Sequence, residues 1–504
     1  MSYSSMHARI TNTRPIYAGA RRSRTHGRWS MRKPSPDVVI KDFPTLRGRS
    51  DELYKNNSLA RSAINKNLDN VVGGGLRPHP TLDHKALGIP KKAAKKIAKA
   101  ILREFDFVAE STNIDAERSQ NFYELQRSML YMMLIGGDAF ALFPRIERHN
   151  SPYTTAIATI QADQVSNPNN TNDTHTLAGG VEVDGNNAPI FYHIQRRHPN
   201  GLTQGGQPTT WQKVQAFDDE GRALVLHLFS KLEAGQKRGV PYLAPIINLV
   251  KTLGSYTDSE VTASLISSLF TVFVKTQSGE GLSPKELELN SDESSEERVD
   301  YSMSSGSVIN LKDGESVEVA DPKRPNKNYD IFHRAIIKEM AVGLNLSYEV
   351  LMTEFGKSFT SSRAVLLQVW KYFRSLRKMM ENRFCQPVFE RVIEEAVLLG
   401  RLELKGFIED PFVRKLWLHC NWTGEQPGAI DEIKEVKAAK MRIETGLSTR
   451  KREASMMNGT SFDENITVAE DESLRMIWAN LMSELNVLPE KKKKKKKKKA
   501  VNEK

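Results

Sequence analysis

The sequence predicts an α+β protein whose architecture is set by long amphipathic helices. Three observations carry that expectation: a two-part helical pattern from Tyr329 to Leu399, short β-rich runs between Thr155 and Phe229, and a second long helical pattern from Pro241 to Leu269. From Ser361 to Leu399, Val365, Leu366, Val369, Trp370, Phe373, Leu376, Met379 and Met380 recur at spacings of three and four, whereas Lys371, Arg374, Arg377, Lys378 and Glu381 fill the other side. Thr360, Ser361 and Ser362 are good N-cap types, and Gly400 stands where a glycine closes a helix. Pro387 should bend this rod near Arg383, because it has no N–H and its ring crowds the carbonyl four residues back. A rod of about 38 residues spans roughly 57 Å, well beyond the usual three or four turns. Such a length suits an architectural element better than a packed catalytic core.

Taken in order, the chain opens with an Arg- and Ser-rich arm, residues 1–36, with little periodicity. Leu53, Leu59, Ala60, Ile64 and Leu68 then mark a helix ending at Asn70, followed by Gly73, Gly74 and Gly75. That glycine cluster reads as a turn, since neither a preceding strand nor a following Gly-Lys-Ser/Thr makes it a phosphate loop. Pro90 opens a helix with Lys91, Lys92, Lys95, Lys96 and Lys99 around an apolar face of Ile97, Ile101, Leu102 and Phe105. Nucleic acid could meet these lysines, but a solvated face is the better reading. A helix from Asn121 to Leu134 leads through Gly136, Gly137 and Asp138 into a strand from Ala139 to Pro144; Asp138, with no second carboxylate at useful spacing, reads as a turn aspartate. Ala223 to Phe229 is the strongest strand.

The helical pattern from Pro241 to Leu269 is expected to break near Gly254. After it, strand-like Phe270–Val274, Val308–Leu311 and Val317–Ala320 enclose an acidic run and the turn Lys312-Asp313-Gly314. A small acidic β insertion therefore separates two helices, the second being Tyr329–Gly343. Asn345–Thr360 is a polar, glycine-containing interruption before the long rod. Beyond Gly400, Phe407, Phe412, Leu416 and Trp417 mark a further apolar stretch; Ile430–Ile443 is a short amphipathic helix, Leu447 to Thr449 begin another, and Leu474–Leu488 is the last helical signal.

Composition narrows the function. A chain of 504 residues can form two to four domains with ample cores, and its 39% hydrophobic and 27% charged residues fit a polar, soluble protein. No apolar run approaches the roughly 18 residues that span a bilayer, so no membrane role is expected. The arginines of the N-terminal arm precede no apolar segment of the kind a secretory signal needs. Cys385 and Cys420 are too few for a disulfide framework and too far apart for a metal motif, which suggests synthesis in a reducing compartment. Of the net charge of +12, Lys491–Lys499 supply nine, leaving +3 for the rest; a basic tail on a nearly neutral body is weak evidence for nucleic-acid binding.

Catalytic and cofactor motifs are missing: the chain has no His-Glu-x-x-His, paired Cys-x-x-Cys, Gly-x-Ser-x-Gly or Gly-x-Gly-x-x-Gly. Gly356-Lys357-Ser358 resembles the end of a phosphate loop, yet Leu351 occupies the position where another glycine is required. An enzyme acting on DNA or nucleotides would need clustered carboxylates or a complete phosphate loop.

Five stretches in order resemble the portal proteins of lambda-type tailed bacteriophages: LRGRSDELYKNN from Leu46, DNVVGGGL from Asp69, the strand carrying Gly136, Asp138 and Phe140, GVPYLAPIINLVKTL over 239–253, and GLNLSYEVLMTEFGKSFTSSRAVLL over 343–367. The similarity runs from about Tyr17 to about Gly446; where the family tends to have Asn-Tyr-Ser-Ser-Ala-Arg, this chain has Ser358, Phe359, Thr360, Ser361, Ser362 and Arg363. The resemblance implies a portal fold that forms a ring, typically of twelve subunits, at one capsid vertex of the virion, made in the host cytoplasm. Double-stranded DNA passes its central channel during packaging and ejection. The large terminase subunit, the major capsid protein, the scaffold, and head-completion and tail proteins are the implied partners, with no catalytic residue, cofactor or metal. By the same analogy 37–238 is an α+β wing, 239–269 and 329–343 are stem helices, and 270–328 is a clip. Residues 344–360 form a tunnel loop, 361–399 a long wing helix, and 400–489 a helical crown, with 490–504 a lysine-rich tail. Glu354, Lys357, Ser358 and Thr360 are then the candidate channel residues, and Glu286, Glu288, Asp292, Glu293, Glu296 and Glu297 the candidate terminase- or adaptor-binding acids. Another capsid or head-joining protein is the alternative class; unlike a portal, it would not assemble alone into a ring of about a dozen chains.

The physics of a conduit agrees. DNA must slide, so the wall cannot offer many strongly engaged phosphate sites, and a closed ring needs head-to-tail interfaces of the kind long amphipathic helices provide. Lys357 is the cation expected to approach DNA. The lysine tail reads as a solvated end or as an electrostatic tether; nine phosphate contacts would give a log-affinity against log-salt slope of about −8.

Overall fold

The computed structural model of the chain describes residues 35–36, 38–196, 199, 210–269, 273–276, 315–318, 328–355, 359–426, 432–459 and 462–484. It is a mixed helix and sheet structure. Two helices, α1 (Phe43–Asn56) and α2 (Ser58–Val71), open it. The one helix expected here is split at Asn57, which turns to extended backbone and whose side chain accepts from the Ala60 amide as the cap of α2. After β1 (Arg77–Pro80), α3 (Lys91–Ala109) starts behind Pro90 as the sequence suggests. Helix α4 (Phe122–Gly136) carries a capping box between Asn121 and Glu124.

Gly137, at φ 84°, turns α4 into β2 (Asp138–Leu142). Then come β3 (Ala158–Gln161), β4 (Leu177–Ala178), β5 (Val181–Val183), β6 (Pro189–Gln195), β7 (Trp211–Gln215) and β8 (Val225–Phe229). They form two antiparallel sheets, ordered β3-β2-β8 and β4-β5-β6-β7. Side chains alternate across β2: Ala139 and Ala141 join the main helical core, whereas Phe140 joins a second core with Val165, Val181, Tyr192 and Ile194. The three-stranded sheet is the wall between a helical core and a β core.

Helix α5 (Ile247–Leu269) runs unbroken through Gly254, contrary to expectation. Strands β9 (Phe273–Thr276) and β10 (Glu315–Glu318) pair antiparallel at the base of the insertion, and α6 (Tyr329–Gly343) follows with the bounds read from sequence. The interruption that follows holds a short helix, α7 (Tyr348–Met352). Helix α8 (Phe359–Met380) begins two residues before the expected start, widens into a π turn at Glu381–Cys385, and continues as α9 (Gln386–Leu398). Where a bend is expected near Arg383 the structure has this π turn: Pro387 brings no N–H to the helix, and the Gln386 amide donates to Glu381 O, five residues back. At the far end Gly400, at φ 69°, donates to Val397 O and Arg401 to Ala396 O, a Schellman closure.

Val369, Trp370, Phe373 and Met380 are buried as their spacing requires. Arg377, expected on the wet side, is buried instead; it donates to the Asn70 and Val71 carbonyls at the end of α2 and to Glu425 O. Helix α10 (Pro411–Trp417) and β11 (Cys420–Thr423) belong to the same body: β11 pairs with β1, and Trp422 packs on Phe105, Phe122 and Phe389. The helices beyond are α11 (Glu432–Glu444), α12 (Arg450–Asn458) and α13 (Phe462–Glu484). Among the described helices none is long and apolar enough to cross a membrane.

Candidate functional site

Sequence stretches far apart in the chain meet at Asp138. Its carboxylate is fully buried and accepts from Arg47 Nη2 at 3.0 Å, Arg238 Nε at 2.9 Å, His227 Nε2 at 2.8 Å and the Gly239 amide at 2.7 Å. These partners lie 89 to 101 residues away in sequence, which is why local reading makes Asp138 a turn residue. The structure corrects that reading. Burial opposes its charge, but Arg238, His227 and Arg47 outweigh it and hold the carboxyl well below the usual carboxylate range. With four donors on it, Asp138 has neither a free lone pair nor an open face with which to act as base or nucleophile.

The surroundings are as fully used. Arg238 also donates to the carbonyls of Val165, Ala162 and Gly179, and Arg47 to those of Gly136 and Ala162. Burial and the neighbouring Arg238 lower the Arg47 pKa to about 10. His227 is stacked between Phe140 and Phe229, with centroids 4.2 and 4.3 Å away, and burial pushes its pKa down. Two glycines let the chains cross here: a Cβ on Gly239 would stand 2.1 Å from Gly137 O. The Tyr242 amide bonds to Leu134 O and its hydroxyl to Leu344 O. The Gly73–Gly75 turn likewise holds an internal anion, the Glu425 carboxylate, which accepts from the Gly74 amide at 3.0 Å.

From this junction the segment between α6 and α8 is held out. Leu344, Leu346, Val350 and Leu351 are buried, Ser62 Oγ donates to Leu351 O at 2.8 Å, and Ser347 caps α7 by accepting from the Val350 amide. Thr353 closes α7 in the left-handed region at φ 57°. Glu354 and Phe355 are exposed. Tyr348 Oη donates to Glu354 Oε2 at 3.0 Å, and Arg334 on α6 stands 3.9 Å from Glu354 and 2.9 Å from Asp330. Lys338 lies over the Tyr348 ring.

Of the sequence-predicted channel residues, only Glu354 has a described side chain. Lys357 and Ser358 lie outside the described residues, and Thr360 falls in the first turn of α8, not in the loop. Glu286, Glu288, Asp292, Glu293, Glu296 and Glu297 also lie outside them, between β9 and β10. Sequence reasoning missed α7, although Ser347 followed by Val350 and Leu351 is a readable cap and apolar step. It also missed Arg334 and Lys338, which share one face of α6 at i, i+4. Among the described residues no group of three or more His, Cys, Asp or Glu is placed to hold a metal ion.

Residues 22–377 match the family described as "Phage portal protein, lambda family". Portal protein B of Escherichia phage lambda is 25% identical over 447 residues, covering 85% of this chain and 83% of that protein. The portal protein of Escherichia phage N15 is 24% identical over 449 residues, covering 85% and 84%. A solved structure, the neck of a native gene transfer agent particle computed with C12 symmetry, aligns at a TM-score of 0.42 and 10% identity over 82% of this chain and 92% of that one.

Proposed function

The chain belongs to the lambda family of phage portal proteins, and we propose that twelve copies close into a ring at one capsid vertex, with α5 and α6 forming the channel wall. Its work is that of a portal, a virion component at the head–tail connection through which the genome is packaged and ejected. It conducts double-stranded DNA without catalysis. Glu354 and the adjoining Lys357 and Ser358 form the loop that faces the duplex. The large terminase subunit docks on the acidic insertion between β9 and β10; the major capsid protein, scaffold, and head-completion and tail proteins complete the vertex.

The observation that carries the ring is the α5–α6 pair. The helices run antiparallel, with Ile246 beside Gly343 and Tyr256 stacked on Tyr329. Val250, Leu253, Ile337 and Met340 bury their base in the body. Farther out, Val261, Leu265, Ile331 and Phe332 are exposed. A single chain leaves that apolar surface in water, whereas head-to-tail contact between neighbours covers it. Native mass measurement and negative-stain imaging of the purified chain test the proposal. Closed rings of about a dozen subunits are expected; a protein that remains a single chain under assembly conditions overturns it.

A further inference from the structure

The three C-terminal helices lie beyond the matched residues 22–377, and they carry two unpartnered surfaces that fit one another. Helix α11 is tied to α8 by Arg363 and Glu435 at 3.3 Å, and to α12 by a two-pronged bond from Arg442 to Glu453 at 2.9 and 2.6 Å. Between α11 and α12 lies an open groove of about 410 Å³, with an apolar floor of Val436, Ala439, Ile443, Ala454 and Met457. Helix α13 presents the opposite shape. Ile466, Leu474, Ile477 and Trp478 are 41–60% exposed. The furrow along this face is lined by residues of α13 alone, so among the described residues no other element covers it.

The charges are complementary as well. Helices α11 and α12 hold seven basic and four acidic residues, net +3, whereas α13 holds one basic and six acidic, net −5. The groove itself is lined by Lys440 and Arg450 beside Glu444 and Glu453, so the complementarity lies in the net charge of the helices: an amphipathic helix with an apolar stripe and a net negative charge suits an apolar groove on a net positive helix pair.

We propose that α13 of each copy seats in the α11–α12 groove of the adjacent copy, so that the C-terminal helices form a closed collar of their own. Groove and helix stand on the same chain, and each copy gives one and receives one. Repeated head to tail around the proposed ring, such a heterologous contact closes on itself. The inference rests on the ring reading above and adds a second, independent seam to the α5–α6 wall.

Full-length chain carrying Lys440→Cys and Glu470→Cys in a Cys420→Ser background tests it, since Lys440 lines the groove and Glu470 the stripe. Oxidation of the assembled protein should give a non-reducing ladder extending beyond the dimer, and each single-cysteine variant should remain a monomer band. Intact rings that yield only monomer bands, or only a disulfide within one chain, overturn the seating while leaving the ring in place. A wild-type protein of single-chain native mass overturns both. As a second arm, Ile477→Lys should raise the concentration needed for ring assembly at least tenfold while the melting of the body is unchanged; an unaltered assembly midpoint counts against the seat.

Discussion

Around Asp138 the polar groups are matched within one chain; along the outer halves of α5 and α6, apolar side chains are left exposed. At the first region a carboxylate, two guanidiniums, an imidazole and two crossing glycines use one another, and the carboxylate itself is fully buried. At the second, Leu265 and Ile331 are 60% and 69% exposed on helices whose inner ends are buried. The contrast separates what the chain completes by itself from what it leaves for a neighbour. In the proposed ring the body is fixed before assembly, and the outer halves of α5 and α6 would gain their partners from other copies. Substitutions should therefore divide into those that unfold the monomer and those that leave it intact and abolish assembly.

The largest effect on the monomer is expected at Asp138. Asp138→Ala leaves Arg47 and Arg238 buried without their common anion, and removing one partner of a buried ion cluster costs about 3–5 kcal/mol. Thermal denaturation and soluble yield read this directly; an unchanged melting temperature would break the view of this junction as the finished part of the molecule. Arg377→Ala should cost less, about 1–3 kcal/mol, because three carbonyls lose a donor without leaving a stranded charge.

Acid should weaken the junction around Asp138 before it weakens the C-terminal helices. Asp138 has a depressed folded pKa, so its stabilisation is present above its unfolded value near 4 and is lost as pH falls below it. His227 also has a depressed folded pKa; its proton would join a cluster that already holds two guanidiniums. Its contribution is full above about 6.5 and declines as pH falls toward the folded value. The body should lose stability between pH 7 and 5, measured as a falling melting temperature, and His227→Gln should flatten that decline. The Arg442–Glu453 bond, which holds the Glu453 carboxyl down to about 2, should persist to lower pH. A smaller effect is expected for Ser347→Ala, which removes the cap of α7 and costs about 1 kcal/mol, with faster hydrogen exchange confined to 344–355.

How much was legible beforehand follows the same division. Elements fixed by local periodicity were readable: α6 has the bounds read for it, α3 starts behind Pro90, and the long rod departs from regular α-helix just before Pro387. The split at Asn57 and helix α7 were missed because one cap residue decides each, and a window of apolar spacing averages over it. Asp138 and Arg377 were misread because their partners are remote; Arg377 Nε reaches a carbonyl 306 residues away. The resemblance identified the relevant stretches, and the structure explains why they hold together: hydrogen bonds tie Arg47 and Gly239 to Asp138, and Tyr242 to Leu344, residues drawn from four of the five. The expected channel and clip residues were chosen by chain position, and apart from Glu354 and the helical Thr360 they lie outside the described residues.

The smallest expected effect on the monomer is also the sharpest test of the comparison. Ile331 and Leu265 make little use of their apolar surface in one chain, so Ile331→Asp or Leu265→Asp should change monomer stability by no more than about 0.5 kcal/mol. In a ring the same carboxylate is buried at every subunit contact without a partner, a cost of several kcal/mol per copy. Closure requires all contacts at once, so the native mass should fall to that of a single chain while the melting curve stays in place. A variant that melts early would show that these side chains already serve the monomer; one that still forms rings would show that the seam runs elsewhere. Either result would erase the distinction between the region around Asp138, which the chain completes alone, and the helices that the proposed ring would complete.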